Sequence, residues 1–331
     1  MTAAARVPRI DLAPYRQGSA QDRADVAAQV DTACRDIGFF TITGHGLPDT
    51  MMSDTMATAD AFFRLPTSEK LKIRQPAKDI SRGYTPLAAE QLSAGLGDSA
   101  PPDLKELIDI GPVDVPGGDY YTCAAAGNHF HPNIWPETPT GFRPTMEAYY
   151  RAMNGLADTL MDVFALALDL PDGFFTDKLD RNMSALRLIC YPEQIAAPED
   201  GQLRSGAHTD YGTLTILAAD AAPGGLQARH RSATWVDVPI VQGEFVVNIG
   251  DAMQIWTNDI WISTLHRVVN PDRQDGPRAR RLSMPFFHQP NYDAIISPLA
   301  SCLAPGETPK ASQITFGDHW MSKWMASRDQ L

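Results

Sequence analysis

From Leu186 onward the chain breaks into short apolar or alternating runs separated by turn residues. They are Leu186–Tyr191, Thr213–Ala218, Leu226–Ala228, Trp235–Val238, Phe245–Ile249, Met253–Trp256, His266–Val269 and Leu282–Phe287. None is long enough to bury a face alone, so they must pair and stack. Short strands at this spacing predict a double-sheet jelly roll.

The first half reads differently. Val7–Leu12 reads as an edge strand, and Val26, Val30, Ala33 and Ile37 recur at helical spacing over Gln21–Ile37 until Gly38 stops the helix. Phe39–Gly44 is a strand by composition, Pro48–Phe63 a second helix, and Pro66–Lys70 the cap of a short third. Phe142–Leu168 carries Met146, Tyr149, Met153, Leu156, Leu160 and Phe164 on one stripe. Thr315–Ser327 returns to helix, whereas 74–140 is Gly- and Pro-rich and poorly periodic, a texture that often carries binding groups. The expected class is α+β, with a mostly helical region (1–175) packed on a jelly-roll core (176–331) as one integrated unit.

The chain has 331 residues, and a net charge of −12 argues against a nucleic-acid partner. Cys34, Cys123, Cys190 and Cys302 are scattered without a CxxC pair and read as reduced thiols of a cytoplasmic protein. Met1–Arg6 has no apolar stretch of a signal peptide, and no run reaches membrane-spanning length. Nothing points to an obligate protein partner.

Within the strand-rich half, His208 and Asp210 stand two residues apart in a strand-like segment, so both side chains share a face. His266 follows in another strand-like run. Two imidazoles and one carboxylate, with no cysteine nearby, fit Fe(II), Mn(II) or Zn(II), and as a facial triad they leave positions open for co-substrate and O2. The HExxH helix common in zinc hydrolases is absent. His45 sits in a turn and reads as a capping or packing residue. Arg281 and Ser283 share a strand face and can clamp a carboxylate; beside them Arg278 and Arg280 read as solvated.

His208-Thr209-Asp210, His266 and Arg281-x-Ser283 together resemble the isopenicillin N synthase-like branch of the Fe(II)/2-oxoglutarate-dependent dioxygenases. Val7–Leu12, Gly38-Phe39-Phe40, Gly44-His45-Gly46, Phe62–Pro66, Arg82-Gly83-Tyr84, Trp135-Pro136, Leu186–Pro192, Asn248–Asp251 and Asn270-Pro271 resemble further segments of that branch, in order along nearly the whole chain. The resemblance implies a distorted double-stranded β-helix, Fe(II) on His208, Asp210 and His266, and 2-oxoglutarate as co-substrate. Arg281 and Ser283 would bind its C5 carboxylate, with Tyr191 a further contact. Many plant members carry asparagine two residues before that tyrosine; here Ile189 stands there, which puts one co-substrate contact in question.

The implied activity is oxidation of an unactivated C–H bond of a small molecule, natural products included, by hydroxylation, desaturation or cyclisation, with release of succinate and CO2. Arg82, Tyr84, Tyr211, Phe287 and His288 are the candidate substrate contacts, while Asn128, His129 and His131 read as a polar surface loop. Other readings stay open: a keto-acid-independent oxidase of the isopenicillin N synthase or aminocyclopropanecarboxylate oxidase type, an ethylene-forming enzyme, or an inactive ligand-binding protein. The substrate and the oligomeric state are not legible in the sequence.

Overall fold

A computed structural model describes residues 6–96, 101–272 and 279–327; Arg278 and the first five residues lie outside the described residues. The strands are β1 (Arg9–Asp11), β2 (Phe39–Thr43), β3 (Gly83–Thr85), β4 (Glu106–Ile110), β5 (Ala185–Tyr191), β6 (Ser205–His208) and β7 (Leu214–Ala219). They continue with β8 (Leu226–Arg229), β9 (Trp235–Asp237), β10 (Phe245–Ile249), β11 (His266–Val268), β12 (Arg281–His288), β13 (Ile295–Ile296) and β14 (Ile314–Thr315).

Eight of them form a major sheet, β1-β2-β10-β7-β12-β5-β4-β3, which faces a four-stranded sheet, β6-β11-β8-β9. The N-terminal 175 residues supply both ends of the major sheet, through β1 and β2 at one end and β3 and β4 at the other. That half is therefore woven into the sandwich as well as packed on it. A separate two-stranded ribbon pairs β13 with β14.

The outer face of the major sheet is covered by helix Phe142–Ala167, whose Met146, Tyr149, Met153, Leu156, Leu160 and Phe164 are all buried as its 3.6-residue stripe requires. Helix Ala20–Asp36 packs beside it; Ser19 and Asp22 form a reciprocal capping box at its start. Gly38, at φ +67°, ends that segment in a left-handed turn where a Cβ would lie 2.2 Å from the Ile262 carbonyl oxygen. No helix among the described residues is long and apolar enough to cross a membrane.

Two local expectations give way. Met253–Trp256 is not a strand but part of helix Asp251–Trp256, whose Ala252, Met253 and Trp256 face the core; a four-residue apolar run has no period that separates the two states. Within 74–140, Glu106–Ile110 is a fully buried strand.

Candidate active site

Cross-strand register lines up the inner face of the major sheet. Arg281 lies opposite Tyr191, Ser283 opposite both Ile189 and Ala219, and Phe287 opposite Thr215. On the next strands Asp109 faces Arg187, Leu107 faces Ile189, and Asn248 faces Thr215. The inner face therefore runs from a guanidinium–phenol end at Arg281 and Tyr191 to an aromatic end at Phe287.

Across from it, His208 and His266 are paired directly by β6 and β11. Their rings lie 4.3 Å apart between centroids, and Phe39 meets His266 edge-on at 5.4 Å. The β6 strand ends at His208, so Asp210 comes from the turn beyond and not from a shared strand face. Two hydrogen bonds bring its carboxylate back: Thr215 Oγ1 and Asn248 Nδ2 donate to Oδ2 at 2.5 and 2.7 Å.

The tautomers are fixed by the backbone. Nδ1 of His208 lies 2.8 Å from the Gly206 carbonyl oxygen, and Nδ1 of His266 lies 3.0 Å from that of Thr264. A carbonyl only accepts, so each Nδ1 carries the proton and each Nε2 keeps its lone pair. Those Nε2 atoms stand 4.0 and 3.7 Å from Asp210 Oδ1, and the three donor atoms all lie within 4.8 Å of one another. Burial, followed by the neighbouring His266, pushes His208 down to about 3, which keeps it neutral and able to ligate. Two neutral imidazoles and one carboxylate, with bonded partners on their far sides, fit a divalent transition metal that needs open positions.

Two cavities meet at this cluster. One is lined by His208, Asp210, His266, Tyr191, Arg281 and Ser283 together with Lys105 and Ile189. The other is lined by His208, Asp210, Tyr211, Phe287, Glu90 and Asp109, with Trp320 and Trp324 from helix Phe316–Ala326. Arg187 borders both.

One wall is an ionic ladder. Lys105 Nζ lies 2.9 Å from Asp103 and 2.8 Å from Glu90, while Arg187 reaches Glu90 at 3.3 Å and Asp109 at 2.7 Å. Burial alone would discourage the Arg187 charge, but Asp109 and Glu90 more than offset it and raise its pKa. The Arg187 guanidinium lies 5.7 and 5.8 Å from the ring centroids of Phe287 and Trp324. The Gln289 amide, turned so that its nitrogen donates to the Met183 carbonyl, accepts from Trp320 Nε1 at 3.1 Å.

Of the five substrate-contact candidates, Tyr211 and Phe287 line the second cavity. Arg82, Tyr84 and His288 line neither. Arg82 is buried with its guanidinium on the carbonyl oxygens of Ser81, His129 and His131. Tyr84 donates to Glu106 at 2.6 Å within the outer core. His288 points to the far side of β12, with Nδ1 2.8 Å from Thr213 Oγ1. His129 is buried rather than on the surface, against Tyr292 and Trp320. Arg280 meets Asp60 and is not a free surface charge. His45 packs edge-on against Phe245.

Residues 182–290 match the model of the 2OG-Fe(II) oxygenase superfamily, and residues 7–138 match that of the non-haem dioxygenase in morphine synthesis N-terminal region. A homoarginine-6-hydroxylase of Oryza sativa subsp. japonica is 34% identical, with 96% of each chain covered. The chain belongs to the 2OG-Fe(II) oxygenase superfamily.

Validamycin A dioxygenase of Streptomyces hygroscopicus subsp. limoneus is 30% identical over 91% of this chain and 81% of its own. The solved structure of a full-length Neurospora crassa protein in complex with alpha-KG and thymine superposes with a TM-score of 0.84 at 28% identity, covering 97% of this chain and 96% of that one. Fe(II), 2-oxoglutarate and O2 are thus the cofactor and co-substrates of this oxygenase family, and the chain is a 2-oxoglutarate-dependent dioxygenase.

Proposed function

We propose that His208, Asp210 and His266 hold Fe(II), and that Arg281, Ser283 and Tyr191 receive the distal carboxylate of 2-oxoglutarate in the first cavity. The substrate occupies the second cavity and is hydroxylated. The observation that carries this reading is the pair of cavities meeting at one His–Asp–His cluster, with a guanidinium–hydroxyl pair in one and aromatic rings in the other.

When bound, the iron with its keto acid and O2 supplies the oxidising equivalents for a C–H bond. The protein's own residues orient and shield. Phe287, Tyr211, Trp320 and Trp324 present ring surface to the substrate and exclude water, and the last two are brought by the C-terminal helix. Glu90 and Asp109 border that end, and although Lys105 and Arg187 pair with them, their remaining carboxylate lone pairs can accept from a small molecule with N–H donors. The relatives support this class: one is named for homoarginine and one was solved with thymine, and both molecules carry N–H groups.

Ile189 lies between Leu107 and Ser283 and lines the first cavity, where its side chain offers no hydrogen bond. The net charge of −12 and the free cysteines support a cytoplasmic protein that does not bind nucleic acid. The test is a panel of small N–H-bearing amino acids and heterocycles, scored by succinate formed from 2-oxoglutarate with Fe(II). Succinate release that depends on the panel compound and vanishes in His208→Ala is expected. Oxygen uptake with no requirement for the keto acid would place the chain with the oxidases instead.

A further inference from the structure

A second buried guanidinium stands behind Arg281, beyond the lining of the first cavity. Arg204, directly before β6, is fully buried. Its Nη1 donates to the carbonyl oxygens of Pro223 at 2.6 Å and Gly224 at 3.3 Å, its Nη2 donates to that of Ala279, and its Nε has no partner among the described residues. Arg281 grips the same loop, its Nη1 donating to Ala222 at 2.9 Å and to Gly224 at 3.3 Å. Gly224 is required by this convergence, since at φ +75° a Cβ would lie 2.7 Å from Arg204 Nη1.

Neither arginine forms an ion pair among the described residues. The neighbouring carboxylate, Asp220, accepts instead from the backbone N–H groups of Leu282 at 2.7 Å and Ala222 at 3.2 Å. The Arg204 guanidinium also lies 5.9 Å from the Tyr191 ring centroid. Two desolvated cations beside one loop, hydrogen-bonded to carbonyl oxygens and with Asp220 near but not paired to them, are expensive unless an anion joins them. Burial, followed by the neighbouring Arg281, brings Arg204 down to about 10, with Asp220 opposing them only in part.

We infer that Arg204 is a positioning residue for the distal carboxylate of 2-oxoglutarate: it holds the Pro223 and Gly224 carbonyls and Tyr191 in place for Arg281 and adds its charge to the anion preference of that end. The inference rests on the proposed role of Arg281, Ser283 and Tyr191. It makes the pocket selective for a keto acid with a second carboxylate over one without.

The experiment uses the full chain loaded with Mn(II) under nitrogen, with affinities for 2-oxoglutarate and 2-oxobutyrate read by calorimetry and folding checked by circular dichroism. In Arg204→Met, affinity for 2-oxoglutarate should fall about ten-fold while that for 2-oxobutyrate, which lacks the distal carboxylate, changes less than about two-fold. Arg204→Lys should recover part of the loss. Unchanged 2-oxoglutarate affinity, or equal weakening of both ligands, overturns the inference. If Arg204→Met does not fold, Arg204→Lys carries the test, with a loss confined to 2-oxoglutarate expected and no selective loss overturning it. Arg281→Met in parallel separates the two levels: if it leaves 2-oxoglutarate binding intact, the underlying assignment of the carboxylate site is what fails.

Discussion

Asp210 shows how a single carboxylate is presented to two imidazoles. Thr215 and Asn248 consume Oδ2, which leaves Oδ1 facing the two imidazoles. Asn248→Ala should therefore weaken metal binding by about 10–100-fold without unfolding the protein, measurable by competition with a chromophoric chelator. Unchanged affinity would show that the turn alone orients Asp210. Histidine and aspartate at this spacing were readable because few chemistries use them together. Lys105, Glu90, Asp109 and Arg187 were not, because isolated charged residues read as solvated until a sheet register buries them. One signal was present for Arg187: a lone arginine inside the apolar run Leu186–Tyr191 must find a partner or be exposed.

At the scale of elements, the C-terminal helix is tied to the metal turn by Asp251. Ser263 Oγ donates to it at 2.6 Å, Lys323 Nζ lies 2.9 Å from it, His319 Nε2 lies 3.7 Å away, and its backbone N–H donates to the Asp210 carbonyl. Burial would raise its pKa, but His319, Lys323 and Ser263 prevail and lower it to about 2 from 3.8. A depressed carboxylate stabilises the fold above its unfolded pKa and loses that contribution as pH falls through its folded pKa. On the order of 2 kcal/mol should disappear between about pH 4 and pH 2, and Asp251→Asn should lack that component in a denaturation series over pH. The long helix gives a second test. Phe164 is fully buried and meets Trp261 edge-on at 5.0 Å, so Phe164→Ala should cost about 3–5 kcal/mol by urea denaturation. This helix was legible because its stripe is long and strictly periodic. β4 was not, since five residues after a Pro pair carry too little pattern to stand out from a loop.

For the whole molecule, the proposed metal and keto-acid positions lie between the two sheets, and an unfolded chain offers no such site. Their binding must stabilise the fold by mass action, by about 2.7 kcal/mol at a ligand concentration one hundred times Kd. Mn(II) with 2-oxoglutarate should raise Tm together, and a chelator should reverse the rise; a Tm indifferent to both would contradict a site spanning the sheets. By itself the sequence determined the strand-rich second half, the helical stripe, and the residue types of a two-histidine, one-carboxylate site with an arginine–serine pair, since periodicity and ligand chemistry are local properties. Only the tertiary structure decided that Arg82, Tyr84 and His288 turn away from the cavities, that an ionic ladder forms one wall, and that Arg204 stands behind Arg281. Those facts depend on which strands become neighbours and which face each side chain takes, and residues about one hundred positions apart, such as Glu90 and Arg187, settle that only by packing together.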